Sequence, residues 1–372
     1  MCQHHLIEML RTGVSNASYI SFILRRGVRQ NVRRLTPPPE QQLRLSTLSP
    51  EVATTAASQS KRRPPQQRTE IPSYIWILLG GCATTFGITY YAYIDIVPIT
   101  GRKRWIVTSP KWERQMGDEE YRTLMKQFHS NILPPTHRAS VTVQRVGQRI
   151  AIASIEFAKR NNFSASNNVI TANIEKPYTF TVIRSDMANA FVLPGNHVFV
   201  FTGIFRFVQN EDELAIILGH EMAHNLARHV GEKMSGSFIL SLLARLSLLL
   251  DPSGVVMTFL LPTLSLVREL PNSRALEIEA DHIGILLAAE ACYDPRSAKK
   301  VFAAMNHAES SNLQPPEFLS THPSHHTRLE KFDEWTPEAL RRYNSTDRCG
   351  DVREQMKRAR LHAALTAAQK GY

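Results

Sequence analysis

His220 and His224 stand four residues apart in the stretch EDELAIILGHEMAHNLARHVGE, residues 211–232, with Glu221 between them. In a helix, that spacing puts both imidazoles on one face, one turn apart. Two neutral imidazoles so placed can hold one zinc ion, and the intervening glutamate can take a proton from an attacking water. The residue types therefore point to metal-assisted hydrolysis. Two histidines leave such an ion short of one protein ligand. A glycine and a histidine three and six residues beyond His224 would be one solution, but Ala227 and Val230 occupy those positions. A glutamate from a later helix is the other. In SRALEIEAD, residues 273–281, Glu277 and Asp281 are four apart and share a helix face, while Glu279 points elsewhere. Glu277 is the expected third ligand, and Asp281 is expected to orient a histidine ligand from behind. Taken alone, such a pair is usually a solvated helix face. Apolar Ile283, Leu286 and Leu287 beside it favour a buried one.

The first histidine pair needs a helix, and the pattern supplies it. Leu214, Ile217, Leu218, Met222 and Leu226 recur at three- and four-residue spacings. Asn210 followed by three acids predicts the start, and Gly231 predicts the stop. On one uninterrupted helix, His229 falls on a different face from His224 and reads as structural. Upstream, helices are expected near 110–131 and 138–160. Tyr178 to Arg184 alternates like a strand, and Phe191–Leu193 and Val198–Phe201 flank Pro194-Gly195-Asn196 as a hairpin. Downstream, residues 238–267 are apolar, but Arg245, Asp251, Pro252 and Pro262 interrupt them. A helical hairpin, buried or resting on a membrane, is expected rather than two spans.

The net charge of +11 is a property of one end. Residues 1–69 carry a balance of +8 and the rest only +3, which argues against a nucleic-acid-binding surface. Arg-rich, acid-poor residues 1–35 suit a mitochondrial targeting segment, and the proline- and glutamine-containing stretch to residue 69 suits a linker. Residues 71–94 contain no charge, and tyrosines and a tryptophan lie near their ends, so a transmembrane helix is expected there. Four cysteines form no CxxC pair; Cys292 and Cys349 could be bridged in an oxidising compartment, although free thiols are the reading preferred.

HEMAH, SRALEIEAD and STHPSHHTRLE (residues 320–330, carrying His322) resemble the HtpX/CAAX-prenyl-protease superfamily of membrane-associated zinc peptidases. So do Asn189-Ala190-Phe191 with the LPG that follows, and VPITGR at 97–102. With the basic leader, they resemble its mitochondrial inner-membrane metalloendopeptidase branch, whose activity overlaps that of the m-AAA protease. The resemblance implies a mainly α domain with a small β-sheet, an α+β zincin of the gluzincin type, over residues 95–335. A membrane anchor is expected at 71–94 and a helical C-terminal extension at 336–372. The resemblance implies one Zn2+ per chain, held by His220, His224 and Glu277, with Glu221 as base. His322 is implied as the transition-state donor, with Arg328 as a second choice there. Asn189 and its strand are candidates for pairing with an extended substrate. Implied partners are proteins in or near the inner membrane, among them a dynamin-like fusion GTPase, and the lipid bilayer, with the catalytic domain facing the intermembrane space. Homo-oligomerisation is left open. Two other classes fit the same residues: a membrane-anchored zinc hydrolase with a non-peptide substrate, and a non-catalytic scaffold stabilised by zinc. A glutamate between the histidines argues against the scaffold, because a structural site has no use for it.

Overall fold

A computed structural model describes residues 73–161, 163, 176–250, 255–310, 318–319, 322, 326–345, 349–352, 354–355 and 358. The expected targeting segment and linker at 1–69 lie outside these residues. The first element is helix α1, Ser73–Ala92. It forms where a span is predicted, yet among the described residues no helix is long and apolar enough to cross a membrane.

Strands β1 (Ile94–Ile96) and β2 (Lys103–Trp105) form a small antiparallel ribbon, with Ile94 opposite Trp105. Helix α2, Pro110–Gln127, starts at Ser109, whose hydroxyl accepts from the Trp112 N–H. Helix α3, Arg138–Arg160, packs its apolar stripe of Val143, Val146, Ile150, Ala153 and Phe157 into the core. Three further strands form a mixed sheet in the order β3 (Thr179–Ile183), β5 (His197–Phe201), β4 (Ala190–Leu193). β3 runs parallel to β5, and β4 antiparallel. The predicted hairpin is therefore β4–β5. Its turn places Asn196 at φ 68°, a left-handed conformation that asparagine tolerates.

Helix α4, Glu211–Leu226, runs through the centre. Asn210 caps it, accepting from Glu213 N–H at 3.0 Å, while Glu213 reaches back to Gln209 N–H at 2.7 Å. This reciprocal pair satisfies two otherwise orphaned donors. Nearly every side chain of α4 is buried, because α3, β4 and a later helix enclose it on all sides. It ends before the predicted Gly231. Arg228 takes φ 54°, and a new helix, α5, runs His229–Leu250. The break is held from the N-terminal side. Arg228 donates to Glu113 at 2.6 Å and to the Thr108 carbonyl at 2.6 Å, and the Arg104 guanidinium donates to the Ala227 carbonyl.

Helix α6, Val255–Glu290, is one helix through Pro262 and Pro271, so the expected apolar hairpin and the SRALEIEAD helix share an element. Helices α7 (Ser297–Ser310) and α8 (His326–Ser345) close the fold. Cys292 and Cys349 are joined by a disulfide with a Cα–Cα distance of 5.2 Å, overturning the preference for free thiols. Tertiary packing brings together two cysteines 57 residues apart, which spacing alone does not reveal.

Candidate active site

Helices α4 and α6 approach backbone to backbone. A Cβ added at Gly219 would lie 2.7 Å from the Gly284 carbonyl oxygen, and one at Gly284 would lie 2.8 Å from the His220 main chain. Only glycine permits this contact, and it seats Glu277 and Asp281 against the two histidines. Nε2 of His220 and Nε2 of His224 are 3.1 Å apart. Glu277 lies 3.4 Å from the first and 3.6 Å from the second. Nδ1 of His322 lies 2.8 Å from Glu277 and 3.3 Å from His220. Ligand atoms of these four residues all fall within 4.8 Å of one another.

The donor set fits a divalent cation. Among the described residues, Oε1 of Glu277 and Oε1 of Glu221 are buried without a hydrogen-bond partner. A buried carboxylate oxygen left so is costly unless a cation or a water meets it. Two imidazoles and a carboxylate are a common zinc donor set. The electrostatics agree. Burial opposes charge on His220, but Asp281 and Glu277 outweigh it and raise its pKa to about 9. Burial also opposes charge on Glu277, yet His322, His224 and His220 hold its carboxyl well below the ordinary range. Burial pushes Glu221 upward against the pull of His322 and His220. A carboxylate so raised is a better proton acceptor near neutrality than an ordinary one.

His220 and His322 each have support behind them. Nδ1 of His220 donates to Asp281 Oδ1 at 2.9 Å. Arg328 grips Asp281 through two bonds of 2.6 and 2.8 Å, donates to the His322 carbonyl at 3.1 Å, and lies over the Phe302 ring at 4.6 Å. Arg328 is thus directed at Asp281, behind His220, rather than at the space between Glu221 and the histidines. His322 is reached through a short chain of backbone bonds: its N–H donates to the Phe318 carbonyl, and the Phe318 N–H donates to Ala188. Its Nε2 lies 3.3 Å from Glu221 Oε1. Asn189 precedes β4, with its side-chain oxygen accepting from the Ala190 N–H at 2.9 Å. Two residues beyond Ala190, the Val192 backbone hydrogen-bonds Glu221, so β4 borders the site.

Residues 142–336 match peptidase family M48. The chain belongs to that family. It is 36% identical over 273 residues to the mitochondrial metalloendopeptidase OMA1 of Schizosaccharomyces pombe, covering 73% of this chain and 75% of that protein. It is 32% identical over 280 residues to the protein of the same name from Saccharomyces cerevisiae, covering 74% and 77%. A shorter likeness, 29% over 173 residues, links it to the beta-barrel assembly-enhancing protease of Yersinia pestis, with 43% of this chain and 35% of that one covered. This M48 chain is therefore a metalloendopeptidase, like the mitochondrial metalloendopeptidases it resembles.

The M48 site also contains residues that sequence reasoning set aside. Nδ1 of His229 lies 2.7 Å from Nδ1 of His224, and its Nε2 lies 2.9 Å from Glu279. Glu279 pairs with Arg102 at 2.7 Å and accepts from the Thr100 hydroxyl. Burial opposes its charge, but His229 and Arg102 lower its pKa to about 2. His229 reaches His224 because the left-handed turn at Arg228 reverses the face it would occupy on a continuous helix. The VPITGR run, which carries Thr100 and Arg102, was the one available signal.

Proposed function

We propose that the ion is zinc and that His220, His224 and Glu277 hold it for peptide-bond hydrolysis in mitochondria. The observation that carries this is the convergence of two Nε2 atoms and a carboxylate beside the unpartnered oxygen of Glu221. When bound, zinc would polarise the scissile carbonyl and acidify a water. Glu221 Oε1 takes the proton of the attacking water and delivers it to the leaving amine. His322, whose Nε2 is close to Glu221, donates to the oxyanion as it forms. Asp281, held by Arg328, fixes the tautomer of His220 by accepting from its Nδ1. An extended substrate pairs with edge strand β4 beside Asn189, since β4 has a sheet neighbour only in β5 among the described residues.

The substrates are proteins at or near the inner membrane, and the catalytic domain faces the intermembrane space. An oxidising compartment accords with the Cys292–Cys349 bridge. Helix α1, with Ile77, Ile88 and Tyr91 exposed, provides the apolar surface for association with lipid. The test is Glu221→Gln in a purified cleavage assay with metal analysis. The variant should keep one zinc per chain and lose cleavage by at least about a hundredfold, the order expected for a general base. Cleavage at the wild-type rate would remove Glu221 from the chemistry.

A further inference from the structure

The two imidazoles His224 and His229 meet Nδ1 to Nδ1 at 2.7 Å. Such a contact requires one proton between two nitrogens, and the surroundings decide whose it is. Nε2 of His224 faces His220 and Glu277. A neutral histidine that offers Nε2 to a cation carries its proton on Nδ1. His224 Nδ1–H therefore donates, and His229 Nδ1 accepts. His229 must then carry its own proton on Nε2, where Glu279 Oε2 accepts it at 2.9 Å. Glu279 is held in turn by Arg102, which also forks onto Glu232 through two bonds of 2.8 Å. His229 and Glu279 are buried at 1% and 2% exposure, so water does not substitute for either.

We propose that His229 and Glu279, fixed by Arg102, are positioning residues that set the tautomer and ring orientation of the metal ligand His224. The loop between β1 and β2 thereby governs how tightly the ion is held. The proposal rests on His224 being a ligand. It goes beyond the ligand set by making metal affinity depend on Arg102, a residue remote in sequence from HEMAH. Three facts converge on it: the Nδ1 contact, the buried carboxylate behind it, and the left-handed Arg228 that turns His229 towards His224.

The experiment measures zinc affinity of the full-length apo chain by competition with a chromophoric chelator, and records the visible spectrum of the cobalt(II)-loaded form. His229→Phe should bind zinc about 10–100-fold more weakly than wild type, the range for losing a partner behind a ligand. Glu279→Gln, which keeps the side-chain shape, should weaken it less and shift the cobalt bands. Arg102→Gln should follow Glu279→Gln, with partial rescue by Arg102→Lys, which restores charge without the fork. A merely structural role would lower the thermal midpoint of the apo chains without moving affinity or spectrum. Wild-type affinity and spectrum in Glu279→Gln would overturn the relay, and that variant decides the matter even where His229→Phe does not fold. Failure of the wild type itself to bind zinc would overturn the ligand assignment, and the relay with it.

Discussion

His220 and His224 are braced in different ways. Behind His220 stands a carboxylate, Asp281, locked by the fully buried Arg328. Behind His224 stands a second imidazole, His229, and only then a carboxylate, Glu279, tied to the partly exposed Arg102. The consequence is visible in their proton affinities. Burial disfavours charge on both rings, but Asp281 and Glu277 raise His220 to about 9. His224, with no carboxylate at its Nδ1, stays well below the ordinary value because burial prevails. A carboxylate in direct contact makes a more basic ligand; an imidazole in between fixes orientation with less charge. The braces also come from opposite sides of α4 in sequence. Arg328 belongs to α8, and Arg102 to the β1–β2 loop.

The largest effect should come from the deeper brace. Arg328→Leu leaves Asp281 buried without its cation and should cost about 3–5 kcal/mol in chemical denaturation. Arg102 keeps about a fifth of its side chain in solvent, so Arg102→Leu should cost clearly less. Equal losses would erase the asymmetry. Next comes the contact that holds the two braces in register. Gly284→Ala puts a methyl group 2.8 Å from the His220 main chain, and forced overpacking of this kind costs about 1–3 kcal/mol. Its zinc content after dialysis should fall together with its stability; full retention of zinc would show that α4 and α6 can separate without disturbing the ligands.

The smallest effect concerns an imidazole–carboxylate pair away from the site, His197 with Asp118 at 2.9 Å. Burial opposes the Asp118 charge, but Lys176 and His197 prevail and lower its pKa below 3.8. The unfolded chain thus binds the proton first as pH falls. The stabilisation is complete above the unfolded value and is lost as pH drops through the lower folded one. Asp118→Asn should flatten the acid limb of the stability curve below pH 3.8 and leave zinc content at neutral pH unchanged. An unaltered acid limb would show that the pair contributes no linked stability.

Much of the architecture is legible where local periodicity and topology agree. The Asn210 cap, the apolar spacing of α4 and the β4–β5 turn at Asn196 all follow from short-range rules. Glu277 and Asp281 share a face because they are four apart on one helix. What escaped the sequence is non-local. The helix stops at Arg228, not Gly231, because Glu113 and Thr108, more than a hundred residues earlier, hold that arginine in a conformation usually left to glycine. That stop is what moves His229 and Glu279 from bystanders to neighbours of the metal site. The continuity of α6 through two prolines was equally hidden, since proline signals a break unless surrounding structure retains the helix.

The glycine contact between α4 and α6 has a final consequence, which concerns ion selectivity. Where side chains separate two helices, rotamers can shift and let a cavity widen. Here main chain meets main chain at Gly219 and Gly284, so the helices that carry His220, His224 and Glu277 are held as close as backbone contact allows. A frame of that kind cannot expand to recruit the six to eight oxygen ligands that calcium takes. With nitrogen donors in the majority, it favours a small ion content with four neighbours.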